Sequence, residues 1–394
     1  MTPAARVQAA IEIFDSILEG APAEKALLGW ARNSRFAGSK DRAAVRDHVF
    51  GALRAKRSLA VRGGAETGRG ILLGLIRSQG IDPDDIFSGI GHAPAPLSDA
   101  EQAAGEAPQS DGVRLDLPEW LVPLWRASLG DAAEAMAEAS RARAPVFLRT
   151  NRLKTTRDAA ISALSEEGIE AEAHEISATA IVVTNGARRV SQSRSYQDGL
   201  VELQDGASQA VIDALSGQTP ARILDYCAGG GGKALALAAA FPEAQIVAHD
   251  IAPQRMKDLP DRAARAGARI TVVAPEDLPN EAGFDVVLCD APCSGSGAWR
   301  RAPEGKWALT EARLAELTAI QAEVLDHAVD FVAPDGVLAY ATCSMLEPEN
   351  TAQVTEFLHR HPGWSVNAQR AWTLLDGGDG FFTAQFSRDA ASIS

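Results

Sequence analysis

Apolar residues recur at helical spacing near the start of the chain: Val7, Ile11, Phe14, Ile17 and Leu18 form one stripe, and Val45, Val49 and Leu53 another. Leu72, Leu75 and Ile76 repeat the pattern, and a further helical stretch is expected over 118–140. The spacing predicts an all-α region over residues 1–140. Within it, residues 91–112 are rich in Ala, Pro, Gly, Ser and Asp without apolar periodicity and read as a surface loop or linker. From residue 141 the texture changes to short β-like runs at 146–148, 180–183 and 200–203 around one helix, 156–167. A small α+β connector is expected over 141–205.

Residues 206–390 alternate between two periods. Strands are expected at 222–226, 245–249, 270–273, 285–289 and 337–341, and helices at 233–240, 254–266, 311–332 and 351–360. All-apolar strands alternating with helices predict a parallel sheet covered on both faces. The expected class is therefore α/β, with a Rossmann-like sheet at the C-terminus. A length of 394 residues suits two or three domains at about 150 residues each. The chain shows no internal repeat.

Charge changes this picture less by its sum than by its distribution. A net charge of −14 argues against a polyanionic partner, yet residues 1–60 hold ten basic side chains against six acidic ones. The stretch 141–157 carries Arg141, Arg143, Arg149, Arg152, Lys154 and Arg157 and no acid. Two basic segments in an acidic chain suggest a localised anion-binding face, although solvated helix faces would look alike. No stretch approaches the ~20 apolar residues of a bilayer span, and Glu12, Asp15 and Glu19 stand where a signal peptide would be apolar. A cytoplasmic protein without a membrane partner is expected. Four cysteines without a C-x-x-C pair, and a lone His359/His361 pair flanking Pro362, point to reduced thiols and no metal.

Candidate chemistry gathers where the strands end, the edge at which doubly wound sheets bind ligands. The first strand runs into Asp225-Tyr226-Cys227-Ala228-Gly229-Gly230-Gly231-Gly232-Lys233. Four glycines permit close backbone approach, and the following helix offers unpaired N–H groups to an anion. A phosphate-binding P-loop would need glycine in place of Cys227 and Ser or Thr in place of Ala234. Gly229, Gly231 and Ala234 satisfy G-x-G-x-x-[GA], and Asp250 stands where an acid would hold ribose hydroxyls, so a dinucleotide or S-adenosylmethionine fits equally. The fourth strand ends Asp290-Ala291-Pro292-Cys293 and the fifth Thr342-Cys343-Ser344, which puts two thiols at the same edge. Cys289 sits in an apolar run and reads as core.

These motifs, with Arg300-Arg301-Ala302-Pro303, Lys306-Trp307 and Glu347-Pro348-Glu349-Asn350, resemble those of the Sun/Fmu (RsmB-type) RNA cytosine-5 methyltransferases. Leu117-Pro118-Glu119-Trp120, Leu148-Arg149-Thr150-Asn151, the 204–209 stretch and Asp379-Gly380-Phe381-Phe382 also resemble family signatures, and the helical start is similar to a NusB-like RNA-binding domain. The resemblance reaches nearly the whole chain. It implies S-adenosylmethionine as donor, held by Cys227, Ala228, Gly229, Gly230, Gly231, Gly232 and Lys233, with Asp250 at the ribose and Asp290 beside donor and base. It further implies Cys343 as nucleophile and Cys293 as the group assisting product release. Small-subunit ribosomal RNA is the expected partner and tRNA the alternative, with Arg149, Arg152, Lys154, Arg300, Arg301 and Lys306 as an RNA track and a monomer as the working form. A cysteine nucleophile needs positive charge nearby, for which Lys233 and the Arg300/Arg301 pair are candidates.

Gly230 departs from the proline common in the family's loop. The acid expected after the third strand is Glu276 or Asp277, of which Asp277 is favoured. Two competing readings stay open: a nicotinamide oxidoreductase built on G-x-G-x-x-A, which leaves the two thiols unexplained, and a catalytically idle RNA-binding assembly factor.

Overall fold

The N-terminal apolar stripes close into helices Pro3–Leu18, Ala23–Asn33, Ser39–Arg54, Lys56–Gly63 and Gly68–Ser78 in the computed structural model, which describes residues 1–105, 110–278 and 281–389. Thr2 and Thr67 cap the first and last of these by accepting hydrogen bonds from Ala5 and Gly70 N–H groups. Val7, Phe14, Val45, Val49, Leu72 and Ile76 fill the core between them. A side chain at Gly74 would meet the Leu59 carbonyl at 2.0 Å, so the last two helices pack backbone to backbone. In the expected linker, residues 99–103 form the short helix Asp99–Ala103, and 106–109 lie outside the described residues.

The chain forms two compact units: Met1–Arg143 with Trp299–Leu309, and Ala144–Ala298 with Thr310–Ser394. The 299–309 segment was expected within the C-terminal domain, but its side chains complete the helical unit. Trp299 stacks on Trp125 at 6.0 Å, the Trp307 indole N–H donates to the Leu53 carbonyl at 2.7 Å, and Glu304 accepts from the Ala23 N–H. Burial of large aromatic surface outweighs sequence adjacency here.

The second unit holds two sheets. The smaller is antiparallel, in the order β2-β3-β1-β4, from β1 (Val146–Thr150), β2 (Glu170–Ala173), β3 (Ala180–Asn185) and β4 (Val201–Leu203). The larger comprises β5 (Arg222–Asp225), β6 (Gln245–Ala248), β7 (Ile270–Val272), β8 (Phe284–Asp290), β9 (Val332–Thr342), β10 (Trp364–Trp372) and β11 (Phe381–Arg388), in the order β10-β11-β9-β8-β5-β6-β7. Alternate residues of each central strand serve opposite cores: Ile223, Val286 and Leu288 on one face, and Leu224, Val287 and Cys289 on the other.

The expectation of a purely parallel sheet is corrected at one edge, where β11 runs antiparallel to β9 and β10 antiparallel to β11. Both were missed because their polar residues hide the strand pattern. β10 is largely exposed, while in β11 the buried Thr383 and Gln385 side chains donate to the Tyr340 and Ala214 carbonyls. The strand order reverses between β5 and β8, so a crevice opens beyond their carboxyl ends. No described helix is long and apolar enough to cross a membrane.

Candidate active site

The turn after β5 owes its shape to two glycines. Gly229 and Gly231 have φ of +53° and +79°, and a side chain at Gly231 would meet Leu259 Cδ1 at 2.2 Å. Gly231 caps the helix Gly232–Ala240, whose first turn presents backbone N–H groups at the crevice. Asp250, buried at the end of β6, accepts the Gly229 N–H at 2.8 Å and the Ala252 N–H at 2.9 Å and pairs with Arg255 at 3.1 Å. Arg262 donates to the Gly230 carbonyl. Two arginines from the following segment thus brace the turn, a feature without a motif in the sequence.

Lys233, one residue into this helix, is buried. Its ammonium donates to Asp290 Oδ2 at 2.7 Å and lies 4.9 Å from the centre of the Phe381 ring. Burial pulls its pKa down, but the charge and hydrogen bond of Asp290, with Cys343 and Asp225 nearby, outweigh that and raise it. Lys233 is therefore a resident cation, paired with Asp290 and near enough to the Thr-Cys thiol for their charges to interact. Beneath it Asp225 is fully buried, and neither carboxylate oxygen has a well-aligned hydrogen-bond partner. Burial and the Asp290 charge push its pKa up to about 7 against the smaller pull of Lys233 and the Ala234 amide.

The turns after β8 and β9 bring Cys293 and Cys343 together, with the two sulfurs 3.4 Å apart. Both thiols are partly exposed, whereas Cys289 is buried. The hydrogen bond with Cys343, followed by burial and the Cys343 and Glu349 charges, raises the Cys293 pKa well above the ordinary thiol range. Gly297 donates to the Cys343 carbonyl at 3.0 Å and accepts from the Gly380 N–H at 3.0 Å, so the C-terminal hairpin supports the thiol turn.

Residues 212–387 match the 16S rRNA methyltransferase RsmB/F family, and residues 117–190 match its ferredoxin-like domain. The chain belongs to the RsmB/F methyltransferase family. Ribosomal RNA small subunit methyltransferase B of Citrobacter koseri is 36% identical over 281 residues, which cover 68% of this chain and 65% of that relative's length. Two solved structures share the fold. That of PH0851 covers 98% of this chain and 99% of its own, with TM-score 0.77 and 22% identity. That of NSun6 from Pyrococcus horikoshii with SFG covers 69% and 98%, with TM-score 0.61 and 15% identity.

The expected RNA track does not survive as drawn. Arg149 is buried at 3% exposure, donates to Gln204 Oε1 at 2.6 Å and to the Gly232 carbonyl at 2.8 Å, and has its pKa lowered by burial to about 10. It braces the smaller sheet against the start of the glycine-loop helix. Lys306 is buried at 1% exposure, donates to the Arg54 carbonyl at 2.8 Å, and is pushed down to about 7 by burial. Arg300 is buried as well, in the same helical unit, and its carbonyl accepts from Arg54. Arg152 and Arg301 are exposed. Lys154 is exposed but donates to the Asp198 and Arg265 carbonyls. Glu276 and Asp277 are both exposed, so burial does not choose between them.

Proposed function

We propose that this protein transfers a methyl group from S-adenosylmethionine to C5 of a cytosine in small-subunit ribosomal RNA. The observation that carries this is the pair of thiols 3.4 Å apart at the edge where Lys233 and Asp290 form a 2.7 Å ion pair. A turn bent by the positive φ of Gly229 and Gly231, a helix N-terminus and the buried Asp250 suit a donor with an anionic methionine end and a ribose. Cys227 to Lys233 would hold the first and Asp250 the second, with Asp277 on the adenosine side. The family relationship supports the substrate class and the donor.

When bound, the donor supplies an electrophilic methyl; the remaining chemistry falls to the chain. C5 of cytosine is a poor nucleophile until a thiolate adds at C6; Cys343 would supply that thiolate, with the Lys233 charge favouring its ionised form. Asp290 as the ionised partner of Lys233 can accept from the cytosine amino group, and in its protonated form it can donate to N3 and stabilise the negative charge that develops there as the thiolate adds. A base, water or a side chain at the crevice, then takes the C5 proton; the C–H bonding pair forms the C5–C6 double bond as the C6–S bond breaks, and the C–S pair returns to the Cys343 sulfur. Cys293 stands close enough to assist that release. The target base must leave its stack to reach the crevice, which favours single-stranded or loop RNA.

Incubation with labelled donor and RNA from cells lacking the modification, followed by mapping of 5-methylcytosine, tests the reading. Cys343→Ala should abolish product and Cys293→Ala should accumulate a covalent protein–RNA adduct. Label in tRNA alone would move the substrate, and absence of label despite donor binding would favour a non-catalytic RNA-binding role.

A further inference from the structure

The two thiols sit on separate turns, and nothing covalent joins them. One residue beyond each thiol, hydrogen bonds join the two turns: the Ser294 and Ser344 hydroxyls lie 3.3 Å apart and share a carboxylate. Glu349 is fully buried, and its carboxylate reaches both turns. Oε1 accepts the Ser294 N–H at 2.7 Å and the Gln321 amide at 3.0 Å, while Oε2 accepts the Ser294 and Ser344 hydroxyls, each at 2.5 Å. Ser294 follows Cys293, and Ser344 follows Cys343. The Gln321 amide also donates to the Pro292 carbonyl at 2.9 Å, so helix Glu311–Ala328 is tied into the same knot.

The carboxylate is itself held from behind. Tyr340 Oη donates to the Glu349 carbonyl at 2.7 Å, and Asn350 binds the Ser344 carbonyl at 3.0 Å and the Thr342 hydroxyl at 2.6 Å. An acceptor-only group surrounded by four donors in a water-poor site is strong and directional, and losing it would leave those donors unpaired.

We propose that the Glu349 carboxylate is the positioning residue that fixes the two thiol-bearing turns relative to each other, so that Cys293 meets Cys343 while a base is attached. The inference deepens the proposed function and rests on it for its catalytic consequence, though not for its geometric one. Glu349 touches neither sulfur in the structure's hydrogen bonds; it acts through Ser294 and Ser344.

The test separates geometry from catalysis. Oxidised glutathione converts two close thiols to a disulfide while being reduced to two molecules of glutathione. The wild-type protein should close the Cys293–Cys343 bond rapidly, read as a loss of two hydrogens by mass spectrometry, and Glu349→Ala should close it about tenfold more slowly or favour mixed disulfides. Turnover of RNA should fall about 10²-fold in kcat with KM for RNA and donor affinity near wild type, as expected for misplacement on the order of 1 Å. Glu349→Gln, whose amide can still bond both hydroxyls, should recover most of the disulfide rate and part of kcat. If Glu349→Ala does not fold, Ser294→Ala with Ser344→Ala removes both hydroxyl links and should show the same two effects in smaller degree. Wild-type rates of disulfide closure and turnover in folded Glu349→Ala, or in the double variant, overturn the proposal. A wild-type protein that methylates no RNA, yet closes its disulfide only with Glu349 in place, would sink the proposed function and leave the positioning role standing.

Discussion

Replacing Asp225 by asparagine probes the least comfortable group in the crevice. The carboxylate is fully buried without a well-aligned hydrogen-bond partner, and its pKa rises from 3.8 to about 7. A raised folded-state value means that stability present while the proton is held is lost as pH climbs from the ordinary carboxylate range through about 7. About three pKa units at ~1.36 kcal/mol each amount to roughly 4 kcal/mol in all. Between about pH 5 and about pH 8 roughly 2.5 kcal/mol of that disappears, close to a hundredfold in the opening equilibrium. The amide has the same shape and no charge, so Asp225→Asn should match the wild type most nearly in acid and exceed it increasingly towards pH 8. Because the chain has two units, one global unfolding energy is ill-defined, and hydrogen exchange of peptides covering β5 and β8 is the fitting assay. After correction for intrinsic exchange, wild-type protection should fall relative to the variant as pH rises. A ratio that stays constant over this range would refute the burial argument.

Lys306→Met should stabilise the helical unit, because burial lowers the lysine from 10.5 to about 7 and an ammonium there is unfavourable. The folded state is mostly neutral above about pH 7 while the unfolded lysine stays protonated, so wild-type stability rises with pH up to about 10 and the gap should narrow from pH 6 to 9 in thermal melts. Gly231→Ala combines a positive φ with the Leu259 collision and should cost at least about 1–2 kcal/mol, weakening donor binding by calorimetry. Arg152→Glu, at an exposed site, should lower RNA affinity and flatten its dependence on salt, whereas Arg149→Met should instead lower the melting temperature of the second unit. Equal salt slopes for wild type and Arg152→Glu would remove that residue from the RNA track.

The order of strands β5 to β9, the helices between them and the site motifs at their ends were legible in the chain itself. Apolar runs, glycines at a strand end and Pro-Cys and Thr-Cys pairs are local signals, written in neighbouring residues. Other features depended on distant partners. β10 and β11 lie hidden because one is exposed at the sheet edge and the other satisfies its polar residues with carbonyls far away in the chain. Phe381 therefore came to the Lys233 ammonium unannounced.

Charge was the least reliable guide. A run of basic residues looks the same whether its members face solvent or the interior, and only packing turned Arg149 into a brace and Lys306 into a buried amine. Residue types and strand order thus determined which chemistry this protein can carry, through local propensity and hydrophobic pattern. The tertiary structure alone decided that two sulfurs 50 residues apart meet at 3.4 Å and that one buried carboxylate spans both their turns, because contacts between distant segments are set by packing and by the need to pair every buried polar group.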